Sequence, residues 1–126
     1  MLNFELRSLT ECAPHEKQSI MDGVVKEIFE MAVIAKEQGI PALDECARKC
    51  KAPFLLQMGI FMVVDGTDPS ILANVLSNLV VSSNKTGAEL LMQMIIREGV
   101  LAIQAGHDPR LIKMMLEAYL GEEYIK

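Results

Sequence analysis

The stretch Gly99-Val100-Leu101-Ala102-Ile103-Gln104-Ala105-Gly106-His107-Asp108-Pro109 decides the fold. It echoes Gly59-Ile60-Phe61-Met62-Val63-Val64-Asp65-Gly66-Thr67-Asp68-Pro69, and the echo reaches on to Leu76 and Leu116. In each copy the second glycine stands where a helix should end, because glycine enters the left-handed region at little cost. The aspartate offers a side-chain oxygen to the open N–H groups of the next helix, and proline suits the first position of that helix. Each copy therefore predicts two helices joined by a very short link. A period near forty also occurs in helical-array repeats, but two copies fall short of the three or so an array needs. Shared helix-turn grammar is the simpler reading.

Working outward, the rest of the chain also reads as helix. From Pro14 to Gln38, Ile20, Val24, Ile28, Met31 and Ala35 recur at three- and four-residue spacing, and Met21, Val25 and Ala32 widen the stripe. Gly39 should end that helix. Pro41 suits the start of a short helix to about Cys50, and Pro53 opens another to about Asp65. Between the echoes, Pro69 to Ala105 reads as one long helix or two. The polar run Ser82-Ser83-Asn84-Lys85-Thr86-Gly87 is the candidate internal linker or hinge. After Pro109, Leu111, Ile112, Met115, Leu116 and Tyr119 fall on one side, Gly121 ends the helix, and the tail EEYIK is expected to be short and frayed. Segments alternating with period two are almost absent. The expectation is an all-α, compact single domain over 1–126, with about five or six helices joined by short Gly/Pro turns.

Composition narrows the function classes. At 126 residues the chain fits one domain, and a chain of that size buries roughly 65–70% of its unfolded surface without needing metal or disulfide staples. A net charge of -5 with no Trp, two Tyr and four Phe argues against nucleic acid, and the only dense basic cluster is Arg48, Lys49 and Lys51. The mean hydropathy of +0.26 invites a membrane reading. However, the strongest uncharged stretch, Ala52 to Val64, falls short of the ~20 residues a span needs. Pro69 to Asn84 is too polar, and MLNFELRSLTE lacks the apolar region of a signal peptide. Three cysteines without framework spacing suit a reducing cytoplasm. A cytoplasmic protein without direct membrane insertion is expected.

Candidate chemistry is thin. There is no Gly-rich phosphate loop, no nucleophile-elbow serine and no paired-His metal helix, so no enzyme activity and no cofactor is expected. His15 and His107 are the only histidines. His107 reads as a solvated turn residue rather than a base, and Asp68 and Asp108 read as helix caps rather than acid–base groups. Cys46 and Cys50 share a helix face by their spacing, while Cys12 and His15 lie three apart. Together they could supply four zinc ligands, which makes a metal- or redox-responsive regulatory domain the alternative reading. Neither pair has the CxxC spacing of a strong zinc motif, and a buried cysteine behaves as a small hydrophobe. No metal site is therefore expected. Met58, Met62, Met92, Met94, Met114 and Met115 could line an adaptable partner groove, though core filling is their more frequent use.

Three segments resemble one family. Glu98-Gly99-Val-Leu-Ala-Ile-Gln-Ala-Gly106-His-Asp-Pro109-Arg110 resembles the C-terminal cytoplasmic signature of motility protein A (MotA), a stator subunit of the flagellar motor. Val64-Asp65-Gly66-Thr67-Asp68-Pro69 resembles the stretch that precedes the family's third membrane span, and Ala32 to Leu43 resembles its A-x-x-x-R-x-x-G-φ-x-x-L-E segment. The order of the three is also the family's. The resemblance implies a non-enzymatic protein–protein interaction module, contacting the flagellar rotor switch-ring protein or stator subunits, with a homo-oligomer left open. It places Lys36 on the family's basic rotor-contact position, where Arg is usual, and Asp44 on the acidic one. Family members carry membrane hairpins before the first segment and between the other two. Here only about Ser82 to Ala88 stands at the second, so this chain is expected to resemble the cytoplasmic half of a stator subunit and to conduct no ions itself.

Overall fold

The computed structural model describes residues 8–49 and 52–125. Ser8 and Leu9 are helical at the edge of the described residues; Pro14 opens the first helix described in full, and the Ala13 N–H ahead of it donates to Glu16 Oε1 at 2.9 Å. That helix, α1, runs without a break as Pro14–Ile20, a π turn Met21–Val25 and Lys26–Gln38. The π turn was not expected from the apolar spacing. A wider turn lets Val24 and Val25 both face the core, and it falls where Gly23 brings no side chain to crowd it. Gly39, with φ of 91°, ends α1 as anticipated.

A 3₁₀ turn, Ile40–Ala42, leads into α2, Leu43–Lys49. The remaining helices are α3, Phe54–Val64; α4, Pro69–Ser83; α5, Gly87–Ala105; and α6, Pro109–Ala118, followed by a 3₁₀ turn, Glu122–Tyr124. Among the described residues there are six helical runs besides Ser8 and Leu9, no strand, and no helix long and apolar enough to cross a membrane. Pro69 to Ala105 is thus two helices. Ser82 and Ser83 belong to α4, so the link shrinks to Asn84, Lys85 and Thr86, with Asn84 in the left-handed conformation at φ of 56°.

The two echoed turns have the same local geometry. Gly66 and Gly106 take φ of 75° and 81°. In each turn the next N–H reaches back five residues, Thr67 to the Met62 carbonyl at 3.1 Å and His107 to the Ala102 carbonyl at 3.2 Å. That is the long bond of the Schellman motif, and it satisfies carbonyls the helix end leaves open. Asp68 and Asp108 then cap α4 and α6, accepting the Ser70 and Arg110 N–H groups at 2.9 Å.

Helix α5 is the central post, packed against α1, α3, α4 and α6. Its mid-helix Gly99 lies against Ile28 of α1, and Gly59 of α3 lies against Val100 of α5; a Cβ at either would come under 3.0 Å from the neighbour. Leu72, Leu76, Ile95, Ile96, Ile112 and Leu116 fill the space between with no exposure.

Two details of α6 and the tail differ from expectation. Leu111 is 45% exposed, and Glu117 is 2% exposed in its place. The buried stripe passes through Pro109, Ile112, Leu116 and Glu117, so the position beside Leu116 and eight residues past Pro109 carries a carboxylate into the core. Within the tail, Glu122–Tyr124 forms a 3₁₀ turn, Tyr124 packs against the core, and its hydroxyl lies 3.4 Å from the Pro14 carbonyl.

Candidate functional site

The alternating helix directions gather the loops into two poles. One holds the ends of α1, α3 and α5 with the starts of α4 and α6. Here Lys36 Nζ meets Asp108 Oδ2 at 2.7 Å, tying the end of α1 to the turn before α6. Gln104 Nε2 donates to the Thr67 carbonyl at 2.7 Å, tying that turn to the one before α4. All three segments singled out in the sequence therefore meet at this turn pole, although they are far apart in the chain.

Between α1 and the Gly106 turn lies an open cleft of about 330 Å³. Ala32, Ala35, Ile40, Ile103 and Ile112 supply its apolar lining, and Lys36, His107 and Asp108 its polar edge. The Asp108 carboxyl is held below the usual aspartate range, first by the Lys36 ammonium and then by the Arg110 N–H. Asp68 is held down as well, by the Ser70 hydroxyl and then the Ser70 N–H. Lys36 and Asp108 side chains are 62% and 49% exposed, so their attraction is screened by water and the pair can exchange partners. His107 is an exposed turn residue, as its sequence context suggested.

Asp44 occupies a different flank. Its Oδ2 accepts from Arg48 Nε at 3.0 Å, and the Arg48 guanidinium lies 5.7 Å from the centre of the Phe61 ring. Asp44 lines a second cleft, of about 370 Å³, with Ile34, Gln38, Cys46 and Lys49. Along α1 the residues lining the two clefts point roughly 130° apart, at 100° per residue. The two charges of the expected contact surface thus sit on adjacent flanks of the Gly39 turn, and each already has an internal partner. Nothing in the sequence announced the Lys36–Asp108 pair, whose members are 72 residues apart.

The cysteine set does not assemble in the way its spacing allowed. Cys12 and His15 stand at the start of α1, while Cys46 lines the cleft beside Ile34 and Gln38 at its end. The two ends of α1, Pro14 and Gln38, are about 36 Å apart at 1.5 Å per residue. Cys50 lies outside the described residues. Among the described residues no three His, Cys, Asp or Glu side chains come together to hold a metal. Burial, then the charge of Glu16, pushes the Cys12 thiol up, opposite to what a reactive thiolate needs. Of the methionines, Met62, Met92 and Met115 pack against the core, Met94 lines a groove at the other pole, and Met114 is half exposed.

Against known protein families, curated proteins and solved structures, the chain has no match.

Proposed function

We propose that this chain is a cytoplasmic, non-enzymatic interaction module of the flagellar motor, related in design to the cytoplasmic region of MotA, and that its turn pole is the working surface. The observation that carries the reading is the convergence there of the three segments that resemble the family, cross-tied by Lys36–Asp108 and Gln104–Thr67. An exposed charge pair over a shallow apolar cleft orients a partner more than it holds one. In this reading Lys36 trades Asp108 for a carboxylate on the rotor switch-ring protein, and Asp44 faces a cation on the neighbouring flank. The chain acts by contact and conducts no ions.

The test is binding of the purified chain to the switch-ring protein by biolayer interferometry, comparing wild type with the double variant Lys36→Glu, Asp44→Lys. We expect measurable wild-type binding that the double variant weakens about tenfold or more, with a steep dependence on salt. Absent wild-type binding, or equal binding of the two proteins, defeats the proposal.

A further inference from the structure

The opposite pole carries a second surface, separate from the proposed working one. The C-terminal half of α4 and the N-terminal half of α5 enclose a groove of about 410 Å³, closed on one side by Leu9. Together with Leu9, the residues Val80, Val81, Leu90 and Met94 supply its apolar lining. Val81 is 79% exposed and Leu9 47%, so folding leaves this apolar surface in water. Lys85 and Arg97 line the groove, and among the described residues no carboxylate does, although the chain as a whole carries -5. Lys85 is paired with Glu89 at 3.3 Å. Arg97 spends Nε on Ser77 Oγ at 2.8 Å, and the ion pairs among the described residues do not include it. A half-buried guanidinium stays charged, and its terminal amines form a fork suited to a carboxylate.

We propose that this groove docks an amphipathic helix of a partner protein, whose apolar ridge lies between α4 and α5 and whose flanking carboxylate pairs with Arg97. The walls support a helical occupant. Ser77, Val80, Val81 and Asn84 on one side, and Leu90, Met94 and Arg97 on the other, follow three- and four-residue steps. Two antiparallel ridges spaced in that way form a valley for a third helix. Met94 can adjust to the ridge that enters. The acidic flank follows from the charges, since among the described lining residues Arg97 is in no ion pair and none is a carboxylate. Because the groove lies at the other pole, this inference stands or falls independently of rotor binding.

The test is selection from a displayed library of sixteen-residue helical peptides, with leucines fixed at i, i+3, i+4 and i+7 and the flanks randomised among Glu, Gln and Lys. The selected peptide is then titrated into ¹⁵N-labelled protein. We expect Glu-flanked peptides to be enriched and amide shifts to gather at Val80, Val81, Leu90 and Met94. Arg97→Gln should weaken binding about tenfold, and Val81→Glu, at a position too exposed to affect folding, should abolish it. Enrichment of Lys-flanked or neutral peptides, shifts at the turn pole, or no enrichment overturns the proposal. So does association with phosphatidylserine vesicles in place of any peptide, which would make the groove a lipid-facing surface.

Discussion

The segments Gly59 to Ser77 and Gly99 to Glu117 are the same device used twice, offset by forty residues. Gly59 and Gly99 each admit a neighbouring helix, Gly66 and Gly106 turn the chain, Asp68 and Asp108 cap the next helix, and Leu76 and Leu116 anchor it without exposure. The copies part where they reach beyond themselves. Asp68 closes on its own helix through the Ser70 hydroxyl at 2.6 Å, whereas Asp108 reaches Lys36 of α1. Ser77 accepts from Arg97, whereas its counterpart Glu117 is buried with Oε2 unpartnered and Lys113 Nζ 4.0 Å away. Local grammar makes the turns alike, and long-range partners decide which of them fastens the turn pole.

The largest expected effects come from the two helix-crossing glycines. Gly99→Val should cost about 3 kcal/mol or more and Gly59→Val nearly as much, because a Cβ alone already crowds a fully buried neighbour. Denaturant unfolding of double variants sharpens the comparison. Ile28→Ala should partly rescue Gly99→Ala but not Gly59→Ala, and Val100→Ala should do the reverse. Rescue without regard to pairing would contradict the packing described.

Next comes Glu117. Glu117→Met should raise stability by about 1–3 kcal/mol, since it removes a buried carboxylate oxygen that has no hydrogen-bond partner and only a long ion pair, 4.0 Å, to Lys113. Ser77→Met at the matching position should lower it, because the Arg97 Nε–H loses its acceptor. Thermal melts of both variants check the opposite signs. At the turns the copies should behave alike. Gly66→Ala and Gly106→Ala meet open space, so each should cost only the left-handed backbone penalty of about 1–2 kcal/mol.

The smallest difference lies at the caps. Asparagine caps about as well as aspartate, so Asp68→Asn should leave the Tm nearly unchanged. Asp108→Asn should lower it slightly by releasing Lys36, and 1 M salt should erase the gap between them. Both carboxyls are depressed in the folded chain, so the unfolded state binds protons more readily at low pH. Their stabilisation is complete above about pH 4 and is lost as pH falls through the lowered folded values. Melts between pH 2 and 6 should show a loss on acidification that is reduced in the double Asn variant.

Much of the fold was legible because its signals are local. Gly39, Gly66, Gly106 and Gly121 all stand at helix or turn ends with positive φ, and Pro14, Pro69 and Pro109 open helices. The π turn was not legible, since an inserted residue inside a continuous apolar stripe looks like a wide stripe. Leu111 falls on the exposed side, and the burial of Glu117 was not legible, because a helix face is fixed by what packs on it and hydrophobicity alone points to the wrong flank. For the candidate site, Lys36 and Asp44 could be named from the sequence, but not their internal partners. Arg48 was within local reach of Asp44 at four residues. The Lys36–Asp108 and Gln104–Thr67 contacts depend on how three distant turns come together, and no local pattern encodes that.

The central claim, that the turn pole is the working surface, is tested most directly by titrating the purified rotor switch-ring protein into the ¹⁵N-labelled chain and mapping the amides that shift. The account predicts shifts gathered at Lys36, Gly39, Asp44, Thr67, Gly106 and His107, with Val81, Leu90 and Met94 silent. Shifts confined to the α4–α5 groove, or none at saturating concentration, would contradict it.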